Sequence, residues 1–491
     1  MKTENGIYIV GAGLAGTTLA QQLFEKKVFG TVQAFFDDDP KKIGTTILGV
    51  PVLGPIEEAT KTFRAGSTDE VFIAIPSIDI ERLQEIYLAL KSCDFTKIKI
   101  LPTLSQIIDG TAHLIQARDI NPEDLLGRTP VTIPLSKTLA YLRGKRVLIT
   151  GAGGSIGSEL CRQLLSAGAE RLYLFGHGEN SIYQIHKELM LLQEGGVGEK
   201  AIIVPIIGDL KDRRYMDFII RNLNCDVVFH AAAYKHVPLM EENPVAVIQN
   251  NVFGTKNILD ACIKYGVKRF VLISTDKAVE PISVYGVSKC LSEKLVLHAA
   301  HQVKRVHKKS AYMFVRFGNV LGSRGSIFPL FVEQIQKGGP VTVTDKKMQR
   351  YFMTIPEACS LILQTAGVGK NASSYLLDMG EPVNIYETAK QLIRYMGYEP
   401  EVDIKLKIIG MRPGERLNET LLAQDEMSEQ TEYSKLLKII PKNGDGELKN
   451  LSLLLKQLKP ICIFDKKQAA VFRDKEALRA RLKENFSSLR H

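Results

Sequence analysis

The sequence predicts an α/β protein with two Rossmann-like, doubly wound parallel-sheet domains. The second should carry a small mixed substrate-binding subdomain. Two glycine-rich turns, at residues 11–16 and 151–157, each follow a short apolar strand and open an amphipathic helix. After each turn, short apolar runs alternate with helical patterns, as parallel βα units require. The chain has 491 residues, so two or three domains are expected.

The first fold, residues 1–120, begins with an apolar strand and a turn of GxGxxG spacing. An acidic residue follows the next apolar strand, about twenty residues after the glycine turn. In dinucleotide-binding folds the acid at this spacing binds a ribose hydroxyl. A second nucleotide site is therefore possible here, made by Gly11, Gly13, Gly16 and Asp37. A purely structural role for this domain stays open, because no catalytic residues follow its glycine turn.

Residues 121–140 are predicted to form a linker between the two folds. Pro122, Pro130 and Pro134 prevent a continuous helix through it. The catalytic domain should then occupy residues 141–445.

The second glycine turn lies between an apolar strand and a helix whose N-terminus attracts a pyrophosphate. Further strands are predicted at 171–175, 201–207, 226–230, 270–273 and 313–316. Their ends supply candidates for holding a dinucleotide, including an aspartate for an adenine amine and alanines small enough for a cofactor to lie against. The predicted cofactor-binding residues are Gly151, Gly154, Ser155, Ile156, Gly157, Glu179, Asp209, Leu210, Ala231, Ala232, Ala233, Tyr285 and Lys289.

The chemistry is predicted to lie in the segment after the strand 270–273. Tyr285 and Lys289 are four residues apart and share one face of a helix. The lysine charge can lower the pKa of the phenol toward the working pH, as a general base requires. Asp276 and Lys277 lie at the end of the strand. Neighbouring side chains on an extended segment point in opposite directions, so these two need not pair and could reach different parts of a sugar ring.

Together these segments resemble the extended short-chain dehydrogenase/reductase superfamily and, within it, the nucleotide-sugar 4,6-dehydratases of bacterial polysaccharide and glycan biosynthesis. The resemblance covers nearly the whole chain, and it depends on the motifs together rather than on any one. The motifs are TGAGGSIGSEL at 150–160, FHAAAYKHVPLME at 229–241, NNVFGTKN at 250–257, STDKAVEP at 274–281, YGVSK at 285–289, VRFGNVLGSRGSIFPLF at 315–331, RYFMTIPEA at 350–358, LLDMGEPVNI at 376–385 and GMRPGERLNETL at 410–421.

The resemblance implies a reaction on UDP-N-acetylglucosamine. Tyr285, with Lys289 beside it, resembles the base for the C4 hydroxyl, whose hydride passes to bound NAD or NADP. Lys277 resembles the base that removes the C5 proton, which a lysine does only in its neutral form. Asp276 resembles the acid that protonates the departing C6 hydroxyl, and Thr275 could hydrogen-bond near O4. Hydride then returns to C6, so the tightly bound cofactor is regenerated in each turnover.

Two positions depart from the family pattern. Many long members carry Met where this chain has Tyr285, whereas short members carry Tyr. Long forms retain the configuration at C5 and short forms invert it; chain length favours retention, and the tyrosine does not exclude inversion. After the strand 171–175, Gly176 stands where an acid usually binds the 2′-hydroxyl of NAD. Glu179 could replace that acid and His177 could tolerate a 2′-phosphate, so NADP stays possible beside the favoured NAD.

The substrate side of the cleft is expected mainly after residue 317. By resemblance, the substrate-binding residues are Lys235, Asn319, Arg412 and Glu415. Guanidinium is suited to forked phosphate binding, which fits the arginine. The tail, residues 446–491, shows helical periodicity and is predicted to pack on the fold or on another subunit of a homo-oligomer.

Composition narrows the class of partner. The net charge is +10, but no basic cluster is interleaved with aromatic residues and Trp is absent, so a UDP-sugar is expected rather than nucleic acid. The seven cysteines are scattered without a CxxC pair, which predicts no metal site and fits a reduced cytoplasm. No apolar run is long enough to span a bilayer. Because long family members often carry four transmembrane helices, this chain is expected to be either a member without them or a piece of a longer one.

Two other functions remain open. A UDP-sugar 4-epimerase shares the cofactor fold, the tyrosine and the lysine, but it needs neither Asp276 nor Lys277. A non-catalytic nucleotide-sensing protein would need neither Tyr285 nor Lys289. The leading hypothesis is a UDP-N-acetylglucosamine 4,6-dehydratase.

Overall fold

The computed structural model describes residues 5–25, 30–59, 63–101, 117–120, 122–126, 139–198, 200–442 and 451–489. Within these ranges the chain forms two mainly parallel sheets flanked by helices, so the predicted fold class is confirmed. Each strand predicted from an apolar run lies within two residues of an observed strand. Most of those runs are buried in the sheets, whereas the run at 201–207 forms a partly exposed edge strand.

The first domain is one sheet with helices on its faces. Its strands are β1 Gly6–Val10, β2 Thr31–Phe36, β3 Thr46–Ile47, β4 Val50–Leu53, β5 Glu70–Ile73, β6 Lys97–Ile100 and β7 Arg118–Asp119. Its helices are α1 Leu14–Glu25, α2 Ile56–Ala59 and α3 Ile80–Ser92. The sheet order is β3-β4-β2-β1-β5-β6-β7, with β1 parallel to both β2 and β5. The chain therefore reverses its direction of winding between β1 and β5.

The strands of the second domain continue the numbering. They are β8 Arg146–Thr150, β9 Arg171–Gly176, β10 Ile202–Ile207, β11 Val227–His230, β12 Arg269–Ile273, β13 Ala311–Arg316, β14 Asn319–Val320, β15 Val341–Val343, β16 Gln349–Arg350, β17 Phe352–Met353, β18 Ser373–Leu377, β19 Val383–Asn384, β20 Leu406–Ile408, β21 Glu426–Gln430 and β22 Leu436–Pro441.

The helices of the same domain connect and cover these strands. They are α4 Ser155–Ser166, α5 Glu179–Glu194, α6 Arg213–Leu223, α7 Val237–Glu242, α8 Pro244–Val247, α9 Thr255–Tyr265, α10 Val284–Val306, α11 Ile327–Gln336, α12 Ile355–Val368, α13 Ile385–Tyr395, α14 Leu451–Cys462 and α15 Lys475–Asn485. A π-helical segment, Ile248–Gly254, joins α8 to α9.

The main sheet has the order β10-β9-β8-β11-β12-β13-β18-β22-β21. The strands from β10 to β18 are parallel, and β22 and β21 add an antiparallel edge. Apolar clusters cover both faces of the sheet. The order reverses between β8 and β11, and ligands of open α/β sheets bind at the carboxyl ends of the strands at such a point.

A small subdomain stands beside that edge of the sheet. Short strand pairs, β14 with β17, β15 with β20 and β16 with β19, combine with α11 and α13 around a core that includes Phe328, Phe331 and Leu392. Most of this subdomain comes from the chain after residue 317, where a mixed pattern was expected.

The segments outside the two folds also pack onto them. Most of the predicted linker lies outside the described residues, but Pro122–Leu125 forms a 3-10 turn. The two tail helices, α14 and α15, bury Leu454, Leu458, Leu478 and Leu482 in the core of the main sheet. The tail therefore packs on the fold of its own chain. In the described ranges, every helix is too short or too polar to cross a bilayer.

Candidate active site

A cleft of about 840 Å³ opens at the carboxyl ends of β8, β11 and β12. The glycine turn after β8, the loop after β11, the turn after β12 and the small subdomain form its walls. The cleft brings together all five predicted catalytic residues, Thr275, Asp276, Lys277, Tyr285 and Lys289.

The turn after β12 is a short 3-10 helix, Asp276–Ala278, rather than an extended segment. The Thr275 hydroxyl caps it, and the amide of Asp276 donates to the carbonyl of Phe317 at 3.1 Å. A helical turn does not alternate its side chains, so neighbours can meet. Lys277 Nζ lies 3.1 Å from Asp276 Oδ1. The expectation that these two side chains point in opposite directions is therefore wrong.

Lys277 donates to the oxygens of three side chains. Besides Asp276, its Nζ contacts Asn319 Oδ1 at 3.1 Å and Glu419 Oε1 at 3.0 Å. An ammonium group has three donors, so these contacts match its full hydrogen-bonding capacity. The lysine is therefore held firmly in the cleft, between the sheet and the small subdomain.

Glu419 is a site residue that sequence reasoning missed. The same Oε1 that contacts Lys277 lies 3.0 Å from Arg350 Nε, and the glutamate side chain is only 8% exposed. Its Oε2 is buried without a hydrogen-bond partner among the described residues. Both residues fall inside motifs noted in the sequence, but those motifs are far apart in the chain, and only the fold shows that they meet.

Tyr285 and Lys289 lie on the first turns of α10, which Ser283 caps by accepting a hydrogen bond from the amide of Gly286 at 3.0 Å. Lys289 Nζ donates to the carbonyl of Ile273 at 2.7 Å, and burial lowers the pKa of this lysine to about 8. The shared helix face is thus present, and both side chains are buried.

The pKa of Tyr285 does not follow the prediction. Burial raises this pKa and the charge of Asp276 raises it further. A hydrogen bond between Tyr285 and Thr275 lowers it by less than these two effects raise it. The predicted lowering by Lys289 is therefore wrong for this state of the cleft. The phenol is protonated near neutral pH.

A buried ion network lies behind the catalytic turn. Arg316 Nη2 contacts Glu293 Oε2 at 2.7 Å, and Nη1 contacts Glu426 Oε2 at 2.6 Å. Ser274, the residue before the turn, donates to Glu293 Oε1 at 2.6 Å. Glu293 lies one helical turn beyond Lys289 on α10. The network therefore links the end of β12 to the helix that carries the tyrosine and lysine.

The glycine turn after β8 suits a diphosphate. Gly151 has φ of +70°, and a Cβ there would lie 2.8 Å from the Cα of Ala232; a Cβ at Gly157 would lie 2.1 Å from the carbonyl oxygen of Gly151. The first turn of α4 has no acidic residue, and Gly154 at its N-cap leaves the amides without a side-chain cap. These features fit the pyrophosphate of a dinucleotide.

Arg324 also contacts this turn and was not predicted. Its Nη1 donates to the carbonyl of Gly153 at 3.0 Å, and its amide donates to Ser155 Oγ at 3.1 Å. A cationic side chain from the small subdomain therefore reaches the glycine turn, across the cleft.

Four predicted cofactor-binding residues lie outside the lining of the cleft. Glu179 is exposed at the start of α5, and Asp209 pairs with Lys211 at 3.1 Å. Leu210 is buried in the core, and the backbone of Ala232 packs against Gly151. Their roles toward a cofactor stay predictions.

The four predicted substrate-binding residues all line the cleft: Lys235, Asn319, Arg412 and Glu415. Lys235 Nζ donates to the carbonyl of Arg324 at 2.6 Å, and burial, together with the charge of Lys277, lowers its pKa. Arg412 Nη2 lies 2.6 Å from Glu415 Oε1, so the two are paired with each other at the open end of the cleft. No group of His, Cys, Asp and Glu in the described chain is placed to hold a metal ion.

Comparison with protein families gives two matches. Residues 147–441 match the family described as polysaccharide biosynthesis protein, and residues 2–102 match the family described as CoA-binding domain. The first match covers the whole main sheet and the small subdomain. The second covers the first glycine turn and most of the first sheet.

Similar proteins carry related names. The chain is 43% identical to the probable polysaccharide biosynthesis protein EpsC of Bacillus subtilis, over 89% of this chain and 71% of that protein. It is 31% identical to a UDP-N-acetylglucosamine 4,6-dehydratase (inverting) of Campylobacter jejuni, over 61% and 83% of the two chains. It is 30% identical to a UDP-glucose 4-epimerase of Rickettsia canadensis, over 61% and 84%. The X-ray structure of Pen from Bacillus thuringiensis, at 30% identity, matches 62% of this chain and 90% of that one with a TM-score of 0.55.

Proposed function

The chain belongs to the polysaccharide biosynthesis protein family, among the nucleotide-sugar dehydratases and epimerases, and from that premise we propose that it is a UDP-N-acetylglucosamine 4,6-dehydratase with NAD as its cofactor. The observation that carries the proposal is the contact of Lys277 with Asp276, in the same cleft as Tyr285 and Lys289. An epimerase needs only Tyr285 and Lys289. A dehydratase also needs an acid and a base for water elimination, which Asp276 and Lys277 can supply.

The cofactor would lie along the glycine turn. Its diphosphate would contact the amides of α4, and its nicotinamide half would lie toward Lys289. When bound, NAD supplies the hydride acceptor for C4, the hydride donor for C6 and a positive ring charge in the cleft.

The first chemical task of the chain is to remove the proton of the C4 hydroxyl. Tyr285 acts as the base in its ionised form, so the phenol must first release its own proton to solvent, and the ammonium of Lys289 on the next turn of the helix would stabilise the phenolate. Because the charge of Asp276 opposes this ionisation, a proton on Asp276 favours it.

The second task is elimination of water across C5 and C6. A proton that moves from Lys277 to Asp276 along their 3.1 Å contact leaves a neutral amine beside a protonated carboxyl. Lys277 then takes the C5 proton while Asp276 gives its proton to the departing C6 hydroxyl. The pair returns to the charged form in which it began.

The proton balance assigns a role to Thr275. The proton taken from O4 must finally replace the one that leaves with water. The Thr275 hydroxyl donates to Asp276 Oδ1 at 2.7 Å and also interacts with Tyr285, so it links the phenol to the acid. If Lys277, whose ammonium protons exchange with solvent, returns a proton to the same face of C5, the C5 configuration is retained, which we propose here.

The test is proton NMR of the purified protein with UDP-N-acetylglucosamine in D₂O. A new C6 methyl signal with deuterium at C5 is expected, and the ring couplings give the C5 configuration. A C4 epimer without a methyl signal would move the assignment to epimerase. Equatorial-to-axial change at C5 would contradict retention but not dehydration.

The Lys277→Ala variant separates the two enzyme classes. Dehydration should be lost, while C4 oxidation, with Tyr285 as base and NAD as hydride acceptor, continues and is seen as absorbance of the reduced cofactor. Retained dehydration in this variant would remove Lys277 from its proposed role. The cytoplasmic location and the homo-oligomeric state remain predictions of the sequence.

A further inference from the structure

The first domain contains a second cleft, of about 580 Å³, whose lining shares no residue with the catalytic cleft. It opens at the carboxyl ends of β1, β2 and β5, where the order of the first sheet reverses. Such a reversal is the usual binding point of an open α/β sheet. Its apolar walls include Phe36, Ile56, Pro76 and Ile86, which suit a flat base.

The glycines of the first turn do not all have the same reason to be glycine. Gly11 has φ of +100°, and a Cβ at Gly16 would lie 1.9 Å from the carbonyl oxygen of Gly11. Gly13 has no positive φ, and a Cβ there would meet no described atom within 4 Å. Packing within the described chain therefore does not require glycine at this position. Close approach of a diphosphate to the backbone does require it.

Asp37 is fixed at the place where a ribose would follow that diphosphate. It comes directly after β2, and its side chain is 10% exposed. Oδ2 accepts from the amide of Ala12 at 2.6 Å, Oδ1 accepts from the amide of Asp39 at 2.9 Å, and Lys42 Nζ lies 3.1 Å from Oδ2. Lys42 Nζ also lies 3.2 Å from Oδ1, so these contacts use about four acceptor positions of the carboxylate. A ribose hydroxyl would donate to Asp37 by displacing Lys42, whose side chain is 33% exposed, from one of the two oxygens.

Carboxylates outnumber cations at the rim of this cleft. Arg82, which lines it, lies 2.8 Å from Asp38, 2.6 Å from Glu57 and 2.8 Å from Glu85. Its charge is therefore already balanced, and Lys42 faces Asp37. A phosphate on the ribose, such as the 3′-phosphate of coenzyme A, would meet this excess of negative charge, whereas a free diol would donate to it.

From the open face of Gly13, the placement of Asp37 and the acidic rim, we propose that the first domain binds a nucleoside diphosphate with an unphosphorylated ribose and discriminates against coenzyme A. The diphosphate lies over Gly13 at the N-terminus of α1, the ribose hydroxyls donate to Asp37, and the base lies between the apolar walls. Two sources share this chemistry: the ADP half of a dinucleotide and a UDP-sugar.

Hydrogen–deuterium exchange of the full chain tests the proposal, since its peptides report on each cleft separately. ADP-ribose, UDP-N-acetylglucosamine and coenzyme A are each titrated while peptides over residues 10–18 and 36–42 are followed. One of the first two should slow exchange there at a concentration at least tenfold below that of coenzyme A. The identity of that nucleotide tells the two sources apart. The proposal would be overturned if coenzyme A slowed exchange at the same concentration as the better nucleotide or at a lower one. It would also be overturned if none of the three slowed exchange.

Two variants sharpen the test. Gly13→Val should keep the exchange pattern of the free protein, since its side chain meets open space, yet lose the slowing at both peptides. Asp38→Asn should narrow the tenfold preference over coenzyme A, because one rim charge is gone. Asp94→Asn, an exposed aspartate of the same domain that pairs with Arg64 outside the cleft, is the matched control and should leave the preference unchanged. Unaltered binding in Gly13→Val would also overturn the proposal.

Discussion

Three side chains, Asp276, Asn319 and Glu419, hold Lys277 in the catalytic cleft. Glu419 has no proposed role in the chemistry itself. The glutamate shares its Oε1 between Lys277 and Arg350, so a single atom connects the proposed base to the small subdomain. A group held in this way can be displaced without unfolding the protein. A displacement of about 1 Å in a reacting group can lower a rate about 100-fold.

Glu419→Gln is therefore expected to slow elimination by roughly 10- to 100-fold, since the amide keeps the volume but lacks the charge that holds Lys277. C4 oxidation, which depends on Tyr285, should change less. Stopped-flow absorbance of the reduced cofactor and NMR of the C6 methyl group measure the two steps. Glu333→Gln, on the exposed side of α11, is the control and should leave both rates unchanged. Equal slowing of both steps would argue against a role through Lys277.

His230 is a buried neutral residue between two threonine hydroxyls. Thr255 Oγ1 donates to the carbonyl of Asn251 and so accepts from Nε2 of the ring at 2.9 Å, which leaves Nδ1 to accept from Thr150 Oγ1 at 2.7 Å. Burial, with a smaller contribution from the charge of Lys289, lowers the pKa of His230 to about 3. The folded state therefore binds fewer protons than the unfolded state in mild acid.

The sign of the pH effect follows from that lowered pKa. Stability from the neutral ring is complete above the ordinary histidine pKa of 6.5 and is lost as pH falls toward 3. Between pH 7 and pH 5, this group alone should lower the free energy of unfolding by about 2 kcal/mol. Denaturant unfolding at both pH values should show a smaller acid loss in His230→Gln than in wild type. The same loss in both proteins would contradict this origin, and His186→Gln on α5 serves as control.

At the residue scale, spacing and motif were enough to find the pair on α10 but not its electrostatics. Tyr285 and Lys289 are neighbours on a helix, so their proximity follows from local geometry. The pKa of the phenol depends instead on burial and on Asp276, which a 3-10 turn brings near. Glu419 could not be found because its partner, Lys277, is distant in sequence. Contacts of that kind exist only after folding.

At the element scale, the turn after β12 depends on what lies behind it. Ser274 is held by Glu293 of α10, Glu293 is held by Arg316 of β13, and Arg316 also binds Glu426 of β21. Arg316 of β13 thus binds α10 and β21 directly, and through Glu293 it is linked to Ser274 at the end of β12. An arginine so placed positions the catalytic turn without touching the substrate.

Arg316→Met should destabilise the second domain by about 3–5 kcal/mol, because the buried carboxylate of Glu293 and the partly buried carboxylate of Glu426 lose their counter-charge. Denaturant unfolding measures this loss at neutral pH. Lower pH should restore part of the stability, since protonation removes the uncompensated charges, whereas a mere packing defect would not respond to acid. Arg481→Met, whose side chain pairs with Glu484 on the exposed face of α15, is the control and should change stability little. A loss below about 1 kcal/mol in Arg316→Met would mean that the network contributes little.

The strands were predictable and the π-helical segment was not. Apolar runs predict the strands because most of them are buried in a parallel sheet, although β10 lies at the sheet edge and is partly exposed. The segment Ile248–Gly254 takes its form from tertiary contacts: Asn251 accepts from the amide of Tyr234 at 2.9 Å and donates to Ser288 Oγ at 2.9 Å. These bonds join the loop after β11 to α10, and no local pattern specifies them. Distortions of this kind are frequent beside functional sites.

At the scale of the whole molecule, two consecutive leucines hold the two nucleotide folds in contact. Leu125 is buried in the core of the first domain, and Leu126 is buried in the core of the small subdomain. Gln84 of α3 donates to the carbonyl of Leu125 at 2.6 Å. The repeated glycine turn predicted two such folds, but the leucines stand in a segment whose prolines marked it as a linker. Its role in packing depends on both cores being present.

Leu125→Ala and Leu126→Ala should therefore weaken different parts of the chain. Either truncation leaves a cavity in a core and should destabilise it by about 2–5 kcal/mol. Leu125→Ala should speed hydrogen exchange in β5 and α3, whereas Leu126→Ala should speed it in α11 and α13. Since α11 and α13 support the substrate side of the cleft, Leu126→Ala should also raise KM for the nucleotide sugar, and Leu125→Ala should leave it nearly unchanged. Faster exchange in the same elements for both variants would mean that the two cores respond as one unit.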